Sequence, residues 1–492
     1  MTSFAPDNLV VLAVLLPFVG ALFIPLFGNH PDRRETVTLV TAATLFFVVS
    51  ALLPHVLAGA RPQVSALAIA PGLSFAFEVE PLGMLFALVA SSLWMVNSIY
   101  SIGYMRANKE PRQTGYYVCF AIALGSTIGL AFAKNLFTMF LFYEALTIST
   151  YPLVIHSRSA EAMRAGRIYL GLLLGTSMLL FLPAIVAVWA IAGTLDFTPG
   201  GVLAGKASAA VTGILLALFV FGIGKAAVMP LHFWLPAAMV APTPVSALLH
   251  AVAVVKAGVF SIVKIAVLIF GIDTLSALGQ STWLTIVAGT TVLAASIVAL
   301  RQDNLKRRLA YSTISQLSYV LLGVAILAPI SVAGAAIHIA AHAVSKITLF
   351  FAAGSIHTAA HLTEVSQLDG IGRRMPWTMG AFAIGSLSMI GVPPTAGFLG
   401  KWFILTGAME TANWIALFVI VVSTVLNAAY FLPIVFRAYF REPAKAAHTR
   451  AHKSGEAPWP IVVALTATAA ATVILFFAAD VVLQLSMSMV GR

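Results

Sequence analysis

Five lysines and one glutamate stand inside or at the edge of long apolar stretches: Glu144, Lys225, Lys256, Lys264, Lys346 and Lys401. A charge at bilayer depth costs roughly 2.5–3.5 kcal/mol on insertion scales, so such residues face a bundle interior or an ion path. Groups of this kind are suited to passing protons, because burial disfavours an ammonium and brings its proton release toward neutral pH. His338, His342 and Lys346 recur at every fourth residue. On a helix that spacing stacks them on one face, a turn apart. An imidazole titrates near pH 6.5, which fits it to a proton wire. The competing use of the same stripe is to seal a contact with another subunit.

Glu144 lies in FLFYEALTIST and Lys225 in FGIGKAAVMP. Opposite charges in one membrane unit are expected to pair. A pair that opens and closes changes how firmly the lysine holds its proton, so it can act as a gate; a static ion pair is the alternative. His250 and Lys256 follow a proline cluster. Six residues set them about 240° apart on a helix, flanking a path without stacking. Lys264, nearer the span end, is expected to snorkel to the interface. Lys401 follows GVPPTAGFLG, a break that frees backbone carbonyls and admits water, and reads as the exit group. Ser312, Thr313, Ser315, Gln316 and Ser318 enter the span after a basic loop as a polar lining. His232 is expected only to cap a break, and His357 and His361 to lie at the surface.

The elements that must hold these groups are membrane helices. The 492 residues are 60% hydrophobic and 9% charged, where a soluble domain carries about 25% charged residues. Repeated apolar runs of about 20 residues imply helices and not a barrel. The expected fold is an all-α polytopic membrane protein of about 14 transmembrane helices, some of them broken. The first run lacks a basic flank and a small-residue cleavage site, so it reads as a retained helix. The proline- and glycine-interrupted segments Gly224–His250 and Gly391–Lys401 lie five spans apart. An odd number of helices per unit inverts the second copy, which predicts two inverted five-helix repeats, spans 4–8 and 9–13. The organisation is then an N-terminal three-helix segment (1–115), a first repeat (116–270), a second repeat (281–437), and a cytoplasmic loop with a C-terminal helix (438–492).

The net charge of +11 does not point to nucleic acid, because the basic residues sit in short loops between apolar runs. Connections after odd-numbered spans carry nineteen lysines and arginines, the opposite side four. That bias predicts a bacterial inner-membrane protein with both termini on the non-cytoplasmic side. The longest loops, near 59–79 and 438–459, are too short to fold alone. Cys119 is the sole cysteine, which excludes an intrachain disulfide or a cysteine-held cluster or zinc site. GFGIGKAAV lacks the ending of a phosphate-binding loop. No cofactor, no metal and no catalytic centre are expected within the chain.

FYEALTISTYPLV, GKAAVMPLHFWLPAAMVAPTPVSALLHAVAVVKAG, DNLKRRLAYSTISQLSY and GVPPTAGFLGKW together resemble the antiporter-like membrane subunits of respiratory complex I, Mrp-type cation/proton antiporters and energy-converting hydrogenases. The resemblance covers roughly 80–440, and its wording is closer to the branch of the Mrp D-type subunits and hydrogenases. It implies fourteen helices with two inverted repeats. It also implies that Glu144 and Lys225 are the first-half pair, Lys256 the central relay lysine, His338 with Lys346 the second-half relay, and Lys401 the terminal lysine. With His250 and His342 these form the expected proton relay. The implied function is proton translocation within a larger complex, resembling NADH:quinone oxidoreductase, Mrp or hydrogenase assemblies, with other membrane subunits as partners. Alternatives are a D-type subunit of a Na+/H+ antiporter, a proton-driven inorganic-carbon uptake subunit, and a purely structural subunit.

Overall fold

The computed structural model describes residues 5–442 and 455–491; Lys445, Arg450 and Lys453 of the expected basic loop lie outside the described residues. Of the described residues, 78% are helical. In order the helices are α1 (Pro6–Phe23), α2 (Pro31–Leu57), α3 (Pro81–Ala107), α4 (Gln113–Ala131), α5 (Leu136–Val154) and α6 (Ala160–Ala192). Next come α7 (Ala209–Gly222), α8 (Thr243–Phe270), α9 (Ser281–Arg301), α10 (Leu305–Ala325) and α11 (Pro329–Ala360). The last are α12 (Pro376–Ile390), α13 (Ala396–Glu410), α14 (Trp414–Phe440), α15 (Trp459–Phe477) and α16 (Asp480–Met489). Among the described residues, eleven helices are long and apolar enough to cross a membrane.

Polar side chains set many of the starts. Asn135, Ser159, Ser208, Asn304 and Asn413 each accept from a backbone N–H of the first turn they precede. Each satisfies a donor the helix cannot, worth about 1 kcal/mol. Glu80 does this twice for α3, accepting from Leu82 and Gly83 at 2.9 and 3.0 Å.

Two breaks interrupt the bundle. α7 stops at Gly222, a tight turn runs over Gly224–Ala226, and Ala227 takes a left-handed φ of +54° before the short helix Trp234–Ala237. The break therefore begins ahead of Lys225 and includes it, within the interrupted segment Gly224–His250 read from the sequence to within two residues. Gly258 of α8 makes room, since a Cβ there would lie 2.4 Å from Ala226 N and 2.5 Å from Lys225 C. The second break is shorter: Gly391, at φ +92°, ends α12 and α13 resumes at Ala396. α8 also carries two π-turns, Leu248–Val252 and Ala266–Phe270, which shift side chains from ideal α-helical register.

The expected all-α class is departed from at one place: the 59–79 connection is a β-hairpin, β1 (Gln63–Ala70) with β2 (Leu73–Glu78), turned at Pro71–Gly72. A Pro-Gly pair is a strong turn signal, and the hairpin does not stand alone. Ala76 N donates to Thr138 Oγ1 at 3.1 Å, and Phe75 stacks on Phe142 at 5.9 Å.

α8 and α11 form the centre: 94% of the apolar window of each is buried, against 39% in α1, α2 and α14. Helices apolar on all sides and buried on all sides leave polar groups no route to water, so any ionisable group there must find partners inside the protein.

Candidate functional site

Lys225, His250, Lys256, His338, His342 and Lys346 have no exposure at all; Lys401 and Glu144 are 6% and 8% exposed. They fall into three groups.

The first lies at the α7 break. Lys225 Nζ donates to the Tyr143 carbonyl at 2.9 Å and to Thr147 Oγ1, and sits 3.2 Å from the Tyr143 ring centroid. Lys225 N donates to the Tyr143 hydroxyl at 3.2 Å. The expected Glu144–Lys225 ion pair is not formed. Tyr143 and Thr147 share one face of α5 at i, i+4 spacing. Glu144 instead shares a stripe with Leu141 and Ile148, which are 42% and 62% exposed. Neither of its carboxylate oxygens accepts a hydrogen bond among the described residues.

The second group is the centre. Lys256 of α8 bonds through Nζ to Nδ1 of His342 on α11. His342 and His338 lie one turn apart with rings nearly parallel, 11° between planes and 6.1 Å between centroids. His250 packs on Phe350 at 4.8 Å, and among the described residues both its ring nitrogens lack hydrogen-bond partners, as do His338 Nδ1 and His342 Nε2. Those atoms remain open to a donor or acceptor. His338, His342 and Lys346 do share one face of α11, yet each turns to a different neighbour. Lys346 leaves the histidine line and bonds Ser312 Oγ of α10.

The third group spans the second break. His338 Nε2 meets Gln316 Oε1 at 3.0 Å, and Gln316 Nε2 reaches the Met389 carbonyl at 3.4 Å. Lys401 Nζ donates to the carbonyls of Met389 and Ile390 at 2.8 and 2.9 Å. These are last-turn carbonyls of α12 with no partner in their own helix, so the break supplies what the lysine needs. Gly400 lets α13 approach α11, since a Cβ there would lie 2.7 Å from His338 Cβ. A polar line thus runs Lys256–His342–His338–Gln316–Met389–Lys401.

Tyr143 and Thr147 were missed by sequence reasoning, because hydroxyls in an apolar helix carry no signal of their partner. Gln316 was legible as lining but not as the link between His338 and the break. Lys264 does not snorkel: it is 1% exposed and pairs with Glu80 at 3.1 Å. His232 is buried, its Nδ1 3.2 Å from the Pro230 carbonyl. His361 is exposed, while His357 is half-buried against Tyr104. No cluster of three metal-ligating side chains occurs among the described residues.

A family model described as NADH:quinone oxidoreductase/Mrp antiporter, TM, matches residues 133–427, which contain all eight expected relay residues. The NADH-quinone oxidoreductase subunit N of Desulforudis audaxviator (strain MP104C) is 31% identical over 451 residues, 90% of this chain and 87% of that protein. The D-type subunit of the Na(+)/H(+) antiporter of Alkalihalophilus pseudofirmus (strain ATCC BAA-2126 / JCM 17055 / OF4) is 27% identical over 99% of this chain and 97% of its own length. A chain of the Mrp complex from Dietzia sp. DQ12-45-1b superposes with a TM-score of 0.86 over 98% of this chain and 97% of that one, at 22% identity, so the fold is shared. This chain is a multi-pass membrane protein and belongs to the NADH:quinone oxidoreductase/Mrp antiporter membrane-subunit family.

Proposed function

We propose that this chain moves protons across the inner membrane of a bacterium as one subunit of a larger complex. The observation that carries the reading is the bond between Lys256 and His342, which joins the buried lysine of one half to the histidine line of the other. A proton held near Lys225 passes to Lys256, then along His342 and His338, through Gln316, to Lys401 at the second break. Glu144 gates the first step by its charge, since it directly follows Tyr143, whose carbonyl holds Lys225. His250 and Lys346 flank the line and tune it by charge.

The architecture that goes with this reading has fourteen crossings. The eleven long helices are joined by α10, which is polar because it lines the relay, and by the broken pairs at α7 and α12–α13. Residues 116–270 and 281–437 form the two inverted repeats, and both termini face away from the cytoplasm. The energy comes from a partner, by electron transfer or by a cation gradient.

The test uses the complex assembled with its partners in inverted vesicles, read by an internal pH dye. Lys225→Ala is expected to reduce acidification to the passive leak while assembly is intact; full acidification by that variant removes Lys225 from the mechanism. The likeness to a Na(+)/H(+) antiporter component favours one second reading, exchange of sodium for protons. A pH change triggered by sodium without an electron donor selects it, and a donor-dependent, sodium-independent change rejects it.

A further inference from the structure

A cavity of about 310 Å³ opens on the face opposite the basic loops, and its floor is the ion pair between Lys264 and Glu80. Nothing in the relay above uses this pair. Lys264 Nζ lies 3.1 Å from Glu80 Oε1 and also donates to the Ala133 carbonyl at 2.9 Å. Both side chains are nearly closed off from solvent, yet both line the cavity. The charged groups around its mouth are Arg61, Glu78, Lys134 and Asp273, with Glu78 and Lys134 paired at 3.8 Å.

Lys264 also stands in register with the relay. Lys256, Phe260 and Lys264 recur every fourth residue on α8, so they follow one side of the helix over about 12 Å. This repeats on α8 the spacing that His338, His342 and Lys346 show on α11. The middle position is apolar: the Phe260 ring packs on Phe86 at 4.9 Å and lies 5.5 Å from Lys264 Nζ. A lysine joined to the relay, an aromatic plug, and a lysine–carboxylate pair on a cavity floor form, in that order, a route with one closure.

We propose that Lys264 and Glu80 form a proton outlet of the first half, discharging from Lys256 into this cavity when Phe260 swings aside. The proposal rests on the relay reading above. The Lys264 ammonium gives a proton to Glu80 Oε1, breaking N–H and forming O–H. The carboxylic acid then releases that proton to water in the cavity. The neutral Lys264 amine takes the next proton from Lys256 through water admitted when Phe260 swings aside. A pair that served only as a clasp between α3 and α8 would need the two charges and not their exchange.

Lys264→Arg separates these roles, because a guanidinium keeps the charge and the ion pair but does not give up its proton. In the assembled complex in vesicles, Lys264→Arg is expected to slow acidification about twofold, leaving the share that exits through Lys401, because a positioned proton-transfer group is lost from one of two outlets. A normal rate in that variant overturns the outlet. Lys225→Ala is run beside it: if both keep the normal rate, the relay itself has failed, and if only Lys264→Arg keeps it, the outlet alone has failed. Should Lys264→Arg not assemble, Val267→Cys in a Cys119→Ser background decides. Val267 lines the cavity one turn beyond Lys264. Intact cells are treated with a membrane-impermeant cationic thiosulfonate before vesicles are made. Complete modification is expected to cut the rate to a comparable degree; complete modification with no loss of rate overturns the proposal.

Discussion

The two helix breaks use their lysines differently. At the second break Lys401 caps the half-helix that precedes its own, taking the free carbonyls of Met389 and Ile390. At the first break Lys225 leaves its own helix and binds the neighbour α5, through a carbonyl that Thr147 also serves at 3.2 Å. A buried carboxylate, Glu144, follows Tyr143 on the helix that holds the first lysine, whereas the second lysine is held by two carbonyls and forms no ion pair among the described residues. One break is therefore built so that its lysine can leave without orphaning a backbone group and can feel a charge. The other ties its lysine into the fold. The first suits a switch and the second a fixed station.

The largest expected effect falls where the two halves meet. Lys256→Met removes the group that joins α8 to His342, and translocation is expected to fall about 100-fold or more, the range of a positioned proton-transfer group. Vesicle acidification by the assembled complex measures it; a loss below threefold removes Lys256 from the line. Gln316→Leu is expected to slow translocation about tenfold, because it deletes a hydrogen-bonded link between His338 and the Met389 carbonyl worth roughly 1–1.5 kcal/mol. A rate equal to wild type would show that His338 and Lys401 communicate by another route.

The contrast between the breaks predicts a difference in stability. Lys401→Ala leaves the last-turn carbonyl of Ile390 unsatisfied and that of Met389 with Gln316 alone, a loss of about 1–3 kcal/mol. Lys225→Ala leaves the Tyr143 carbonyl with Thr147 and its own helix, so its loss is expected to be smaller. Thermal unfolding of the two variants in the same detergent tests this, and equal melting temperatures would erase the distinction. The smallest effect is at the surface. The Arg437 guanidinium, 2.7 Å from Asp369, holds that carboxyl below its usual range. A lowered native value makes the contribution complete above the ordinary carboxylate range and lost as pH falls through that range to the native value. Asp369→Asn is expected to cost about 0.2–1 kcal/mol at neutral pH, as exposed pairs do, and to leave translocation unchanged. The deficit should vanish on acidification; one that persists at low pH points to packing instead of charge.

Composition and periodicity by themselves determined the class of the fold and the residues worth watching. Long apolar runs with few charges have one stable solution in a bilayer, helices that satisfy their own backbone. The same argument marks Glu144, Lys225, Lys256 and Lys401 as groups the bundle must bury for a use, and four-residue spacing sets His338 and His342 on one face. Partners across helices were beyond the sequence. Which carbonyl a lysine meets depends on where a break falls, how closely a glycine such as Gly258 or Gly400 lets two helices approach, and how a π-turn rotates a face. Glu144 lost its ion pair because one residue on α5 is about 100° of rotation, enough to turn it away from Lys225. Lys264 was legible as a span-end lysine, but only the Glu80 cap of α3, the Ala133 carbonyl and the Phe197 ring, brought together by the fold, decided that it is buried and paired. Contacts of this kind are set by distances between elements remote in the chain, which no local pattern encodes.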